Sequence, residues 1–219
     1  MMAMDVDTWL RSSEEFLAGA RAFIWTSKNT AFLRGIRGEI LALRQILRTY
    51  KDDLKDLDAR LEYRGSSRKD CDIVLTVRGR EIQIDCKERS QGDHWVRMHA
   101  RDYAVVETDP ATGIQRIKPR EDARDGFFYV FVDSTRFHET GEAAFYVLSD
   151  SEAMISLSEV YRKQREVHGN VRRPRNPDSD DFWGWPKDIE VYADDKLLRF
   201  MQLSGPTRSG SSPSAGGLT

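Results

Sequence analysis

Two short runs of alternating apolar residues, Ile73, Leu75, Val77 and then Ile82, Ile84, Cys86, constrain this chain more than any other stretch. Period-2 alternation over such short runs is the pattern of half-buried strands, and the few residues between them leave room only for a tight turn. Gly79 and Arg80 read as a two-residue turn, with Arg78 facing Glu81. That register sets Asp72 opposite Lys87 and Val74 opposite Asp85. Facing residues of an antiparallel pair share a sheet face, so Asp72, Asp85 and Lys87 are expected to converge. A slip of one residue would send the second strand's polar set to the other face.

The segments around this hairpin suggest an α/β domain. Trp9, Leu10, Phe16, Leu17, Ala20 and Phe23 predict an amphipathic helix from Asp7 to Ile24, capped at Ser12 or Ser13, that packs on the domain as an N-terminal arm. Phe32, Ile36, Ile40, Leu43, Leu47 and Tyr50 form one apolar stripe, predicting a second helix from Asn29 to Tyr50 with Glu39 at the stripe's edge. Lys51–Asp58 reads as a turn or helical extension, Ala59–Arg64 as a first strand and Gly65–Lys69 as a polar loop. Beyond the hairpin, Trp95, Met98, Tyr103 and Val106 suggest a helix over Asp93–Val105, followed by a charged loop, Thr108–Asp125. The apolar runs Phe127–Asp133 and Ala143–Leu148 read as central, doubly covered strands. Ser151–His168 reads as a helix with Ser151 as N-cap. Val171–Asp181 reads as a loop, and Ile189–Tyr192 with Leu197–Met201 as a last hairpin. The expected organisation is a helical arm (1–28), one domain (29–203) and a disordered tail (204–219) of Gly, Ser and Pro.

A chain of 219 residues suffices for one such domain with a real core. The net charge of -2 does not announce a nucleic-acid binder, although a mixed surface can hold a local basic groove. Cys71 and Cys86, the only cysteines, are both expected on the apolar side of the hairpin as buried free thiols of a reducing compartment. The N-terminus lacks a basic region followed by an apolar one, and no stretch approaches membrane-spanning length, so a cytoplasmic location with no membrane contact is expected.

With a helix carrying Glu39, then a strand, then a hairpin carrying Asp72 and Asp85-Cys86-Lys87, the sequence resembles the PD-(D/E)XK nuclease superfamily over residues 29–148. The resemblance implies a restriction endonuclease-like αβββαβ core, a central mixed sheet flanked by helices. Asp72 stands for the family's first acid, Asp85 for the second, Lys87 for its lysine and Glu39 for the helix carboxylate. Cys71 occupies the place of the usual proline. The implied activity is metal-dependent hydrolysis of DNA phosphodiesters, with Mg²⁺, or Mn²⁺ in its place, held by Asp72, Asp85, Glu39 and the backbone carbonyl of Cys86. Carboxylate oxygens suit such a hard cation, and a compact ammonium can orient the attacking water and offset developing charge. Family members also suggest genome defence or repair as the role, and a homodimer or an accessory helicase or specificity subunit as partner.

Gln83 lies on the same face as Asp85 and is a candidate for touching the substrate. Arg172, Arg173 and Arg175, with Arg162, Lys163 and Arg165 before them, form the clearest basic cluster; Arg97 and Arg101 form a smaller one. These are candidate phosphate contacts, and equally the solvated faces of helices. His99 and Tyr103, one helical turn apart, echo a Gln-x-x-x-Tyr pattern of some family members. Pro177-Asp178 with Asp194-Asp195-Lys196 spells the family motif a second time, but Asp194-Asp195 reads as a turn and Phe182–Pro186 does not read as a strand. Three other readings remain open: a nucleic-acid-binding module that does not cut, a structural or partner-binding protein whose acids are surface charges, and an enzyme of the same chemistry acting on RNA.

Overall fold

The computed structural model describes residues 6–23, 30–56, 59–65, 71–90, 96–112, 115–168 and 181–186. The N-terminal helix α1 spans Val6–Phe23, α2 spans Thr30–Thr49 and α3 spans Lys51–Asp56. Three strands follow, β1 (Arg60–Tyr63), β2 (Ile73–Val77) and β3 (Arg80–Ser90). Next come β4 (Val96–His99), a 3₁₀ turn (Ala100–Asp102), β5 (Ala104–Thr108) and β6 (Gln115–Pro119). The remainder is β7 (Phe127–Ser134), α4 (Phe137–Thr140), β8 (Ala144–Ser149), α5 (Asp150–His168) and β9 (Asp181–Gly184).

The main sheet has the order β1-β2-β3-β7-β8. Neighbours run antiparallel except β3 and β7, which are parallel. Alternation along β2 and β3 divides its faces. Ile73, Leu75, Val77, Ile82 and Ile84 point to a core shared with Ile40, Leu43 and Leu47 of α2 and Leu17 of α1. Val74, Tyr129 and Phe131 point to a second core with Leu157 and Tyr161 of α5, Tyr103 and Phe182. Strand β7, buried nearly throughout, is the doubly covered strand that its unbroken apolar run predicts. The second apolar run differs: β8 is the sheet's edge strand and its first three residues are exposed or half-buried.

Helix α2 is buried on more than one stripe. Every residue from Arg37 to Leu43 is buried, because α2 lies between the sheet and α1. Its approach to β3 is unusually close. A Cβ on Gly38 would stand 2.6 Å from Glu88 Cβ, so a side chain there would push helix and strand apart.

Several expectations are corrected. The hairpin turn is Arg78-Gly79, with Val77 paired to Arg80 and Val74 to Gln83. Both turn residues have positive φ, 51° and 79°, as a tight turn matched to strand twist requires, with glycine in the second place. Residues 96–105, the described part of the expected helix, do not form one: β4 pairs with β9, a 3₁₀ turn follows, and β5 pairs with β6, which lies inside the expected loop. Helix α5 covers this side of the sheet, and β4, β5 and β6, between β3 and β7 in the chain, fill in around it. Strand β9 runs through Phe182–Gly184, where the sequence suggests no strand, because Phe182 and Trp185 are core residues. Ser13 lies within α1, its hydroxyl donating to the Leu10 carbonyl at 2.7 Å, and so is not a cap. The cap of α5 is Ser149, whose N–H donates to the Glu152 carboxylate at 2.9 Å while its hydroxyl accepts from the Glu152 N–H at 3.4 Å. Cys71 and Cys86 are free, but lie in opposite layers, since Cys71 precedes β2 and the strand alternation does not extend to it. The expected last hairpin, the Asp178/Asp194/Lys196 motif and the tail lie outside the described residues. Among the described residues no helix is long and apolar enough to cross a membrane.

Candidate functional site

The observed register differs from the expected one by a whole step of two residues, and so preserves the face on which each side chain stands. Continuing from Ile73 opposite Ile84, it brings Asp72 level with Asp85, not with Lys87. The Asp72 N–H donates to the Ile84 carbonyl at 2.9 Å, closing the ladder at this end. Asp72 turns its own carboxylate inward, where Oδ2 accepts the Cys86 N–H at 2.7 Å. Two residues further along β3, Lys87 Nζ stands 2.7 Å from Asp85 Oδ2, and both side chains are about a quarter exposed.

Helix α2 supplies the third acid. Glu39, 4% exposed, accepts a hydrogen bond from the Tyr63 hydroxyl at 2.7 Å. Tyr63, on β1, stands opposite Ile73, so the end of β1, the start of β2 and the middle of β3 come together here beside α2. Trp9 of α1 backs this corner, its ring edge-on to Tyr63 with centroids 6.4 Å apart.

These charges act on one another. Burial, then the negative charge of Asp85 and of Glu39, pushes the Asp72 carboxyl up to about 8, against the Cys86 N–H that favours the ionised form. Asp85 hydrogen-bonds the protonated form and holds the proton in place. Although burial disfavours its charge, the Lys87 ammonium titrates well above its ordinary value, because Asp85 pairs with it and Asp72 adds to the field. The Cys86 thiol is buried beside the same acids and is pushed far up, which keeps it neutral. Asp85 and Asp72 thus act on one ammonium, while Glu39 acts on Asp72.

Such a donor set, all hard oxygens, is of the kind that holds Mg²⁺. One oxygen of each carboxylate is engaged, Glu39 with Tyr63, Asp72 with the Cys86 N–H and Asp85 with Lys87, and among the described residues no group of three or more His, Cys, Asp or Glu is placed to hold a metal ion. Cys86 pairs with Val130 in the β3–β7 ladder, and its N–H is the backbone group that reaches Asp72.

Of the other candidates, Gln83 shares the face of Asp85 and pairs with Val74. Arg97 and Arg101 are exposed, on β4 and on the 3₁₀ turn. Arg172, Arg173 and Arg175 lie outside the described residues. Lys163 is paired with Glu159 at 2.6 Å, and Arg165 donates to the Tyr161 hydroxyl at 3.1 Å, so these two belong to the surface of α5. His99 and Tyr103 do not share a helix: His99 pairs with Asp181 on β9, while Tyr103 is fully buried against Tyr129.

Two neighbours of the site carry no signal in the sequence. Tyr63 holds Glu39 from a different strand, which only the β1–β2 register and the docking of α2 reveal. Asp102, half-buried on the 3₁₀ turn, feels Lys87, His99 and Asp85; burial raises its carboxyl and Lys87 draws it back. The ring contact of Tyr103 with Tyr129, the partner of Asp85 on β7, holds that turn over the site at a centroid distance of 5.2 Å.

No family model, no curated protein and no solved structure matches the chain.

Proposed function

We propose that this protein is a Mg²⁺-dependent nuclease with a restriction endonuclease-like core, hydrolysing phosphodiester bonds of DNA. The observation that carries the reading is the meeting of Glu39, Asp72, Asp85 and Lys87 at one corner, from α2 and two adjacent strands. The order of elements supports it: a helix, three antiparallel strands, then a strand parallel to the third. The stretch between those two parallel strands departs from the family pattern, since its described part is strand and 3₁₀ turn where the family has a helix.

Asp72, Asp85 and Glu39, with the Cys86 carbonyl, would hold the cation. When bound, such an ion polarises a phosphoryl oxygen and makes water nucleophilic at neutral pH. Asp85 keeps Lys87 charged and aimed across the face, where its ammonium orients water and offsets the charge that grows on the scissile phosphate. Tyr63 holds Glu39 in place, and Gln83, Arg97 and Arg101 are the described candidates for contacting the strand. A role in genome defence or repair, and a homodimer or an accessory helicase or specificity subunit, follow only from the family resemblance.

One observation favours a second reading, a module of the same fold that binds nucleic acid or a partner without cutting. Each site carboxylate has an oxygen held by a protein group, as a retired metal centre's would be.

The two readings separate on incubation of plasmid and linear DNA, with RNA alongside, in Mg²⁺ or Mn²⁺, using wild type, Lys87→Ala and an EDTA control. The nuclease reading expects product that vanishes with EDTA and falls by about 10²-fold or more in Lys87→Ala. Binding that ignores chelator, with no Lys87-dependent product on any substrate, leaves the second reading.

A further inference from the structure

We propose that the buried Arg37–Glu88 pair is a positioning device that fixes α2 against β3 at the height where Glu39 meets Asp72, beside the Asp85–Lys87 pair; the inference rests on the nuclease reading. Arg37 lies two residues before Glu39, and Glu88 directly follows Lys87. Their side chains are 1% and 4% exposed, on the sheet face otherwise filled by Ile82, Ile84 and Leu43. Arg37 Nε donates to Glu88 Oε1 at 2.8 Å, and Nη2 reaches the same oxygen. Nη2 also donates to the Ser134 hydroxyl at 3.0 Å, and that hydroxyl contacts Glu88 and donates to the Arg89 carbonyl at 3.1 Å. One guanidinium thereby ties α2 to both β3 and β7.

Stability does not explain a charged pair in this layer, because well-packed apolar side chains of similar volume are often at least as stable. A planar fork does what they cannot. Its donors fit at one height and one rotation, so a slide or roll of α2 would strand a buried charge. Gly38, between Arg37 and Glu39, removes the side chain that would hold the helix away, and so lets the fork close. Neither Arg37 nor Glu88 sits among the reacting groups; both act through Glu39 and Lys87.

The test uses the full chain with Arg37→Met and Glu88→Leu combined, compared with wild type in thermal unfolding, in steady-state DNA cleavage and in the Mg²⁺ concentration giving half-maximal rate. A positioning role predicts a Tm no lower than wild type, kcat down by about 10- to 100-fold, a raised Mg²⁺ half-saturation and an unchanged KM for DNA. Ser134→Ala, which leaves the ion pair whole, should keep kcat within about threefold. A double variant that cuts as fast as wild type, or one whose kcat falls only in step with a lowered Tm, overturns the inference alone. If the double variant does not fold, Glu88→Gln decides: a lowered kcat at unchanged KM supports the proposal, and an unchanged kcat overturns it. A wild type with no Lys87-dependent product removes the nuclease reading and this inference together.

Discussion

Asp72 is the residue whose environment departs furthest from that of an ordinary carboxyl. With its carboxyl at about 8 in the fold, it keeps a proton across a range where the unfolded chain, near about 4, has released it. The folded state therefore binds more protons between those values. Stability of the metal-free protein should fall as pH rises from about 4 to about 8, by up to about 1.4 kcal/mol per unit, and level off above. Asp72→Asn should flatten that slope and be the more stable form at pH 8, as read from urea unfolding at pH 5.5, 7 and 8; parallel curves for the two proteins would contradict the assignment. The candidate acids were legible in the sequence because parity along a strand survives a register shift of two, which is the shift found between expectation and structure. Tyr63, Asp102 and the Arg37–Glu88 pair were not. Each meets the site through an element far away in the chain, and no periodicity encodes which residue of one element lies over which of another.

At the scale of elements, the hairpin and the α2–β3 contact carry the geometry. Arg78 holds a φ of 51° that L side chains adopt reluctantly, while Asn accepts it. Arg78→Asn should stabilise the protein by about 0.5 to 1 kcal/mol without altering cleavage, whereas a drop in stability on denaturant unfolding would argue against this turn. Gly38→Ala places a methyl 2.6 Å from Glu88 Cβ, and should cost about 1 to 3 kcal/mol and lower activity more than Arg78→Asn does. Long, periodic elements such as α2, α5 and β7 could be read directly from the sequence. The segment 96–119 could not: its spacing of Met98, Tyr103 and Val106 mimics a helix, but Tyr103 is buried by Tyr129 and Phe182 in a layer that α5 already occupies. Phe182–Gly184 is a strand only because β4 lies beside it.

For the whole molecule, two cores lie either side of one mixed sheet, with Glu39, Asp72, Asp85 and Lys87 gathered at one of its corners, and the formal net charge of -2 gives no general attraction to nucleic acid. Any affinity for DNA then rests on local cations. Binding should weaken with salt, and replacing both Arg97 and Arg101 by Ala should lower the slope of log K against log salt by about 1 for each phosphate no longer neutralised, in fluorescence anisotropy with a duplex probe. An unchanged slope would place the DNA elsewhere, with Arg172, Arg173 and Arg175 the next residues to replace. The central claim is that Glu39, Asp72 and Asp85 grip one kind of guest, a hard divalent cation, and its most direct measurement is Mn²⁺ binding followed by electron paramagnetic resonance at pH 8.5. The account predicts saturable binding that Mg²⁺ competes away and that both Asp72→Asn and Asp85→Asn abolish; absence of saturable binding, or binding that survives both substitutions, would contradict it.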